Sequence, residues 1–320
     1  MTQWCSDVRV LVAHPTAAAV WVLPALTFDS RVWAGEPAAI VAAVRERFDV
    51  AVTVLYALRE YTDTVARTVA MAVVCEAADG AVASGPWIER PDDVAEPDRD
   101  LVRDALARLD AGPNPWAVRG WAAQAGAWLR AAAGREPTGA VEQVRTWSLS
   151  AVLRIPTTDG YVYFKTAAAM PLFADEAAVT ATLAAMFPDA VPIPLAVDTD
   201  RGWLALADFG APLGWTAPKS ARIDLVRDFA RLQIATAGRV GELTGCVDRR
   251  LARLGGDHVG WLTGPHPRRA VGTGSTSPAG TAGWWPRSGP AGSSSRGERI
   301  TVRTGRRTRI DAGTPMLCNG

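Results

Sequence analysis

The chain has 320 residues, 48% hydrophobic and 21% charged, with 34 basic against 33 acidic side chains and a net charge of +1. That length allows two domains of ordinary size, and the composition is globular rather than disordered. The balanced charge gives no ground for a nucleic-acid or membrane partner overall.

Cys5, Cys75, Cys246 and Cys318 form no CxxC pair and no metal-like spacing with histidine, so they read as reduced thiols in a cytoplasmic protein. The least charged stretch, Val10 to Phe28, is broken by His14, Pro15 and Pro24 and is too short for a membrane span. It lacks a basic leader, so no signal peptide is expected.

Residues 1–112 read as one α+β unit. "VRVLVA" and "AAVWVLPALTF" are expected strands, and "GEPAAIVAAVRERF" carries Ile40, Val41, Val44 and Phe48 at helical spacing. "VAVTVLYAL" and "TVARTVAMAVVCEA" are β-branched runs, with a turn expected at Ala78-Asp79-Gly80. "PDRDLVRDALARLDAG" reads as a helix with early acid, late arginine and Gly112 past its end. This order resembles a Nudix hydrolase fold. That family holds magnesium with a cluster of helix glutamates; here only Glu46 and the earlier Glu36 remain, too few hard ligands for a dication. The resemblance therefore implies the fold without hydrolase activity.

Residues 113–134 are a Pro/Gly-rich linker with two tryptophans, then a short helix, "WAAQAGAWLRAAAG", ended by Gly134. "VEQVRTWSLSAVLRIPTTDGYVYFK" predicts strand, short turn, strand, an Asp159-Gly160 hairpin and a third strand. "ADEAAVTATLAAMF" is a helix stopped by Pro188. A second hairpin turns at Asp200-Arg201-Gly202, and two amphipathic helices follow over "ARIDLVRDFARLQIATAG" and "VGELTGCVDRRLARLGG".

Beyond about Leu262 the character changes. From Gly264 to Gly320, Gly, Pro, Ser, Thr and Arg make up 39 of 57 residues, and only six are Val, Ile, Leu, Met or Phe. Such a segment buries too little apolar surface to offset its chain entropy, so disorder is expected over 263–320. The break also fits a reading frame that shifts near residues 262–270. A rival reading makes nine arginines, with Trp284 and Trp285, a nucleic-acid-binding tail, but nothing in the pattern organises those charges.

Of the 34 basic residues only Lys165 and Lys219 are lysines. Strand alternation puts Tyr161, Tyr163 and Lys165 on one face and Val162 and Phe164 on the other. A lysine is a compact point charge suited to phosphate, and its stem can lie along an apolar wall. On the next helix Glu176 shares a face with Thr180, Leu183 and Phe187. A buried cation and a buried carboxylate on neighbouring elements should pair, since either alone would be costly. A solvated edge lysine and a dipole-complementing glutamate are the bland readings of the same residues.

The order hairpin, lysine strand, glutamate helix, hairpin, helices resembles the small lobe of protein-kinase-like phosphotransferases. More narrowly, residues 113–258 are similar to the aminoglycoside phosphotransferase family of actinobacterial type, whose N-terminal extension the upstream unit also resembles. The resemblance implies an ATP- or GTP-dependent phosphotransferase, working with Mg²⁺ on a hydroxyl of a small-molecule substrate. It implies that Lys165 holds the α/β-phosphates and that Glu176 orients it. It makes "TWSLS" the phosphate loop, with Ser148 and Ser150 as donors, and Leu206-Ala207-Asp208 the hinge that reads the base edge.

Asp208-Phe209-Gly210 spells the metal-binding kinase triplet, yet it falls only 43 residues after Lys165, before any large-lobe helix, and is a hinge by position. The family's H-x-D-x-x-x-x-N loop is not found at His14, His258 or His266, and Asp311 lies in the tail with no apolar strand to carry it. No catalytic and no metal-ligating residue is therefore assigned. The expected architecture is α+β: a non-catalytic Nudix-like unit over 1–112, linker and helix over 113–134, a kinase-like small lobe with the first large-lobe helices over 135–262, and a disordered tail. The expected function is an inactive phosphotransferase relative, or alternatively a non-catalytic nucleotide- or partner-binding module.

Overall fold

The computed structural model describes residues 3–78, 85–112, 114–170, 173, 175–210, 217–243, 246–247 and 300–302. Within them the chain is α+β, built on two sheets.

The first sheet contains β1 (Cys5–Ala13), β2 (Val20–Val22), β3 (Leu26–Phe28), β4 (Val52–Asp63) and β5 (Thr68–Ala77), with helices α1 (Ala38–Phe48) and α2 (Asp98–Leu106). β1 runs parallel to β5 and antiparallel to β2 and β3, and β4 closes the far side against β5. Successive β1 residues face opposite layers. Val8, Val10 and Val12 join Ile40, Ala43 and Val44 of α1, while Leu11 and Ala13 join Leu101, Val102 and Ala105 of α2. A strand covered on both faces needs an almost unbroken apolar run, which "VRVLVA" supplies.

Three details depart from the sequence reading. "AAVWVLPALTF" is two strands, interrupted around Pro24. Thr64–Arg67, read as strand, is the β4–β5 turn: the Asp63 carboxylate accepts the N–H groups of Val65 and Ala66 at 2.9 and 2.8 Å, and Arg67 takes φ 55°. Asparagine and aspartate can form such turns without a glycine, so the usual punctuation was missing. Ile300–Val302, within the segment expected to be disordered, forms β11 and pairs parallel with β3. The rest of 263–320, the Asp79-Gly80 part of the expected first turn and most of the expected last helix lie outside the described residues.

Tyr56 of β4 is 9% exposed and its hydroxyl has no hydrogen-bond partner among the described residues. Burial pushes its ionisation up to about 12. The unfolded chain ionises this group near pH 10, so it binds fewer protons than the native state above that pH. Stability should therefore fall as pH rises from about 10 towards 12. Tyr56→Phe should remove that loss and stabilise the protein at neutral pH by up to about 1 kcal/mol, since an unpaired buried hydroxyl disappears. Urea denaturation of both proteins at pH 7 and pH 11 checks this; equal pH sensitivity would disprove it.

The second sheet is antiparallel throughout, in the order β6 (Glu142–Thr146), β7 (Ser150–Thr157), β8 (Gly160–Ala167), β10 (Trp203–Ala207), β9 (Ala196–Asp198). Its hairpins turn where expected, with Gly160 at φ 112° and Gly202 at φ 64°, backbone angles that favour glycine. Helix α3 (Trp121–Ala132) covers one face: Trp121, Ala125 and Leu129 pack with Leu153, Ile155, Val162, Phe164 and Trp203. Helix α4 (Glu176–Met186) lies between β8 and β9 in the chain and contacts both. Helix α5 (Lys219–Ala237) has no buried residue; Ile223, Val226 and Ile234 are 45%, 66% and 75% exposed. No helix among the described residues is long and apolar enough to cross a membrane.

Candidate functional site

The open face of the second sheet is set by β8. Val162 and Phe164 are fully buried towards α3, which turns Tyr161, Tyr163 and Lys165 to the other side. Register places Lys165 between Val152 of β7 and Leu204 of β10, so apolar neighbours flank its stem. The Lys165 ammonium donates to Oε1 of Glu176, the first residue of α4. The two side chains are 21% and 22% exposed, half-withdrawn from water. The helix begins there without a side-chain cap, so the pair ties its first turn to the sheet.

Ser148 and Ser150 sit in the β6–β7 turn. Ser148 is exposed. Ser150 is buried, and its hydroxyl accepts the Trp147 indole N–H at 2.7 Å. The turn closes through the Trp147 N–H donating to the Ser150 carbonyl at 3.1 Å. The Leu149 carbonyl accepts the Ala168 N–H at 2.8 Å, tying the turn to the end of β8.

Leu206 and Ala207 end β10, half-buried, and Asp208 follows exposed. The Asp208 N–H donates to the Tyr161 carbonyl at 3.1 Å, and its carboxylate accepts the Gly210 N–H at 2.9 Å. Gly210 has φ 84°. Asp208 thus closes a turn at the strand exit. Among the described residues no group of three or more His, Cys, Asp or Glu is placed to hold a metal ion.

Beside Lys165 stand residues the sequence did not single out. The Arg154 guanidinium lies 4.2 Å from the centre of the Tyr161 ring, donates to Glu142 at 2.7 Å, and pairs in register with Tyr163. Burial pulls its ionisation down, but hydrogen bonds to Glu142 and Tyr163 outweigh this and hold it above the usual guanidinium value. Alternation had put both tyrosines on the lysine's face. The cross-strand partner depends on register, which no single strand reveals.

No family model and no curated protein matches this chain. One similar solved structure is a Sinorhizobium meliloti protein described as an oxidoreductase, 19% identical over 32% of this chain, with a TM-score of 0.25. This chain spans 39% of that protein's length. So slight a likeness bears on neither fold nor function.

Proposed function

We propose that the β6–β10 sheet with α4 binds a nucleoside triphosphate, ATP or GTP with Mg²⁺, as the small lobe of a kinase-like, aminoglycoside phosphotransferase-related protein. The observation that carries this reading is the Lys165–Glu176 ion pair, which joins the third strand of a five-stranded antiparallel sheet to the helix that follows it. Lys165 would hold phosphate oxygens, Glu176 would fix the lysine, the turn bearing Ser148 and Ser150 would border the phosphates, and Leu206 to Asp208 would flank the base.

The sequence has no H-x-D-x-x-x-x-N loop, so no residue is assigned a step in phosphoryl transfer. The small-molecule hydroxyl acceptor is expected of the related enzymes, and this chain is proposed to bind nucleotide without turning over. The Nudix-like reading of the first unit draws support from α1 and α2 on opposite sheet faces. Its reading as non-catalytic draws support from Glu36 being engaged by Arg145 and from Glu46 standing exposed. Cytoplasmic placement rests on the thiols of Cys5 and Cys75, which form no disulfide among the described residues. A second reading, a non-catalytic partner-binding module, is favoured by the exposed apolar residues of α5.

Thermal unfolding with and without nucleotide tests the first reading. A ligand that binds only the folded state, present at about twenty times its Kd, stabilises it by about 1.8 kcal/mol. For a unit of this size that raises Tm by roughly 4–7 °C. Magnesium-ATP or magnesium-GTP should produce this shift and Lys165→Ala should abolish it. No shift at millimolar concentrations of either nucleotide would favour the partner-binding module.

A further inference from the structure

We infer that the Trp33–Glu36 segment of the first unit positions the Trp147–Ser150 turn, so that this unit serves as a fixed wall for the phosphate side of the site. The inference rests on the nucleotide reading above. The turn contains no glycine, so it cannot mould its backbone freely around a ligand and must be set from outside.

Several of the contacts that set it come from that segment. The Thr146 N–H, immediately before the turn, donates to the Gly35 carbonyl at 2.9 Å. The Arg145 guanidinium, 14% exposed, meets the Glu36 carboxylate at 2.7 Å. It lies 5.6 Å from the Trp33 ring centre and 6.0 Å from that of Trp147. Those two indoles meet edge to face at 5.9 Å. Gly35 is required by this packing: a Cβ there would lie 2.5 Å from the Trp33 ring. From outside that segment, the Trp116 indole donates to the Trp147 carbonyl at 3.1 Å.

Three residues before Thr146 on β6, the Gln143 side chain behaves as a piece of backbone. Its oxygen accepts the Val54 N–H at 2.9 Å and its NH₂ group donates to the Val54 carbonyl at 2.7 Å, beside a bulge in β4. The two sheets are therefore joined through β6, the strand that leads into the turn. Arg145 is paired with Glu36 and lies against two indoles, so its part is placement of the turn.

Gly35→Ala and Glu36→Gln in the full chain test this. Hydrogen exchange of the peptide spanning residues 144–150 should quicken about tenfold or more in both variants, while peptides from the β1–β5 core stay unchanged. Affinity for ATP should fall about ten- to hundredfold, and affinity for adenosine, which carries no phosphate, should hold. Unchanged exchange across 144–150, or an equal loss of ATP and adenosine binding, would overturn the inference. Glu36 is a surface side chain, so its variant keeps the test decisive if Gly35→Ala does not fold. Faster exchange in variants of a chain that binds no ATP would remove the nucleotide reading and leave the loop-to-turn coupling standing.

Discussion

Phe164→Ala should lower the unfolding free energy by about 3–5 kcal/mol and the melting temperature by roughly 10 °C. Phe164 is fully buried, and its ring meets Trp203 at 5.4 Å, Trp121 at 5.6 Å and Trp128 at 5.8 Å, each edge to face. Aromatic pairs in this geometry contribute about 0.5–1.5 kcal/mol beyond the area they bury. Three large rigid indoles cannot close over the vacated volume, so the cavity cost remains. Tryptophan fluorescence during urea unfolding reports on the same indoles. Ile234→Ser, on a residue 75% exposed, should change stability by less than about 0.5 kcal/mol. If both substitutions cost the same, the α3-covered face is not the core of this unit. The effect also reaches the site, because Phe164 and Lys165 are neighbours on one strand pointing opposite ways.

What the sequence made legible was local. Gly160 and Gly202 marked their hairpins because a positive φ favours glycine, and alternation alone put Lys165 opposite Phe164. The Lys165–Glu176 contact followed from cost: either charge half-buried alone would be expensive. The features that escaped depend on partners distant in the chain. Gln143 looks like any polar strand residue until Val54, 89 positions away, takes up both its amide oxygen and its NH₂ group. Arg145 reads as a solvated arginine until Trp33 and Glu36 arrive from the first unit. Ser150 was read as a donor in the phosphate loop; that its hydroxyl also accepts the indole N–H of Trp147, three residues back, is a contact that pattern reasoning does not encode. The β4–β5 turn escaped for a different reason: aspartate did the work that glycine usually advertises.

Lys165→Met should separate the two roles this lysine can play. Its partner Glu176 would be left half-buried and uncompensated, at a cost of about 1–2 kcal/mol, below that of a fully buried pair because about a fifth of each side chain reaches water. Combining Lys165→Met with Glu176→Leu removes both charges and should restore stability to within about 1 kcal/mol of the unaltered chain. Nucleotide binding should not follow. If the lysine holds phosphate, the single and the double variant both lose the ATP-dependent rise in Tm, whereas Glu176→Gln, which keeps the cation but loosens it, loses only part. Stability then recovers in the double variant while binding stays lost, a divergence that a purely structural ion pair cannot produce. Should the ATP-dependent shift survive in Lys165→Met, the pair only anchors α4 to the sheet and the nucleotide reading loses the observation on which it stands.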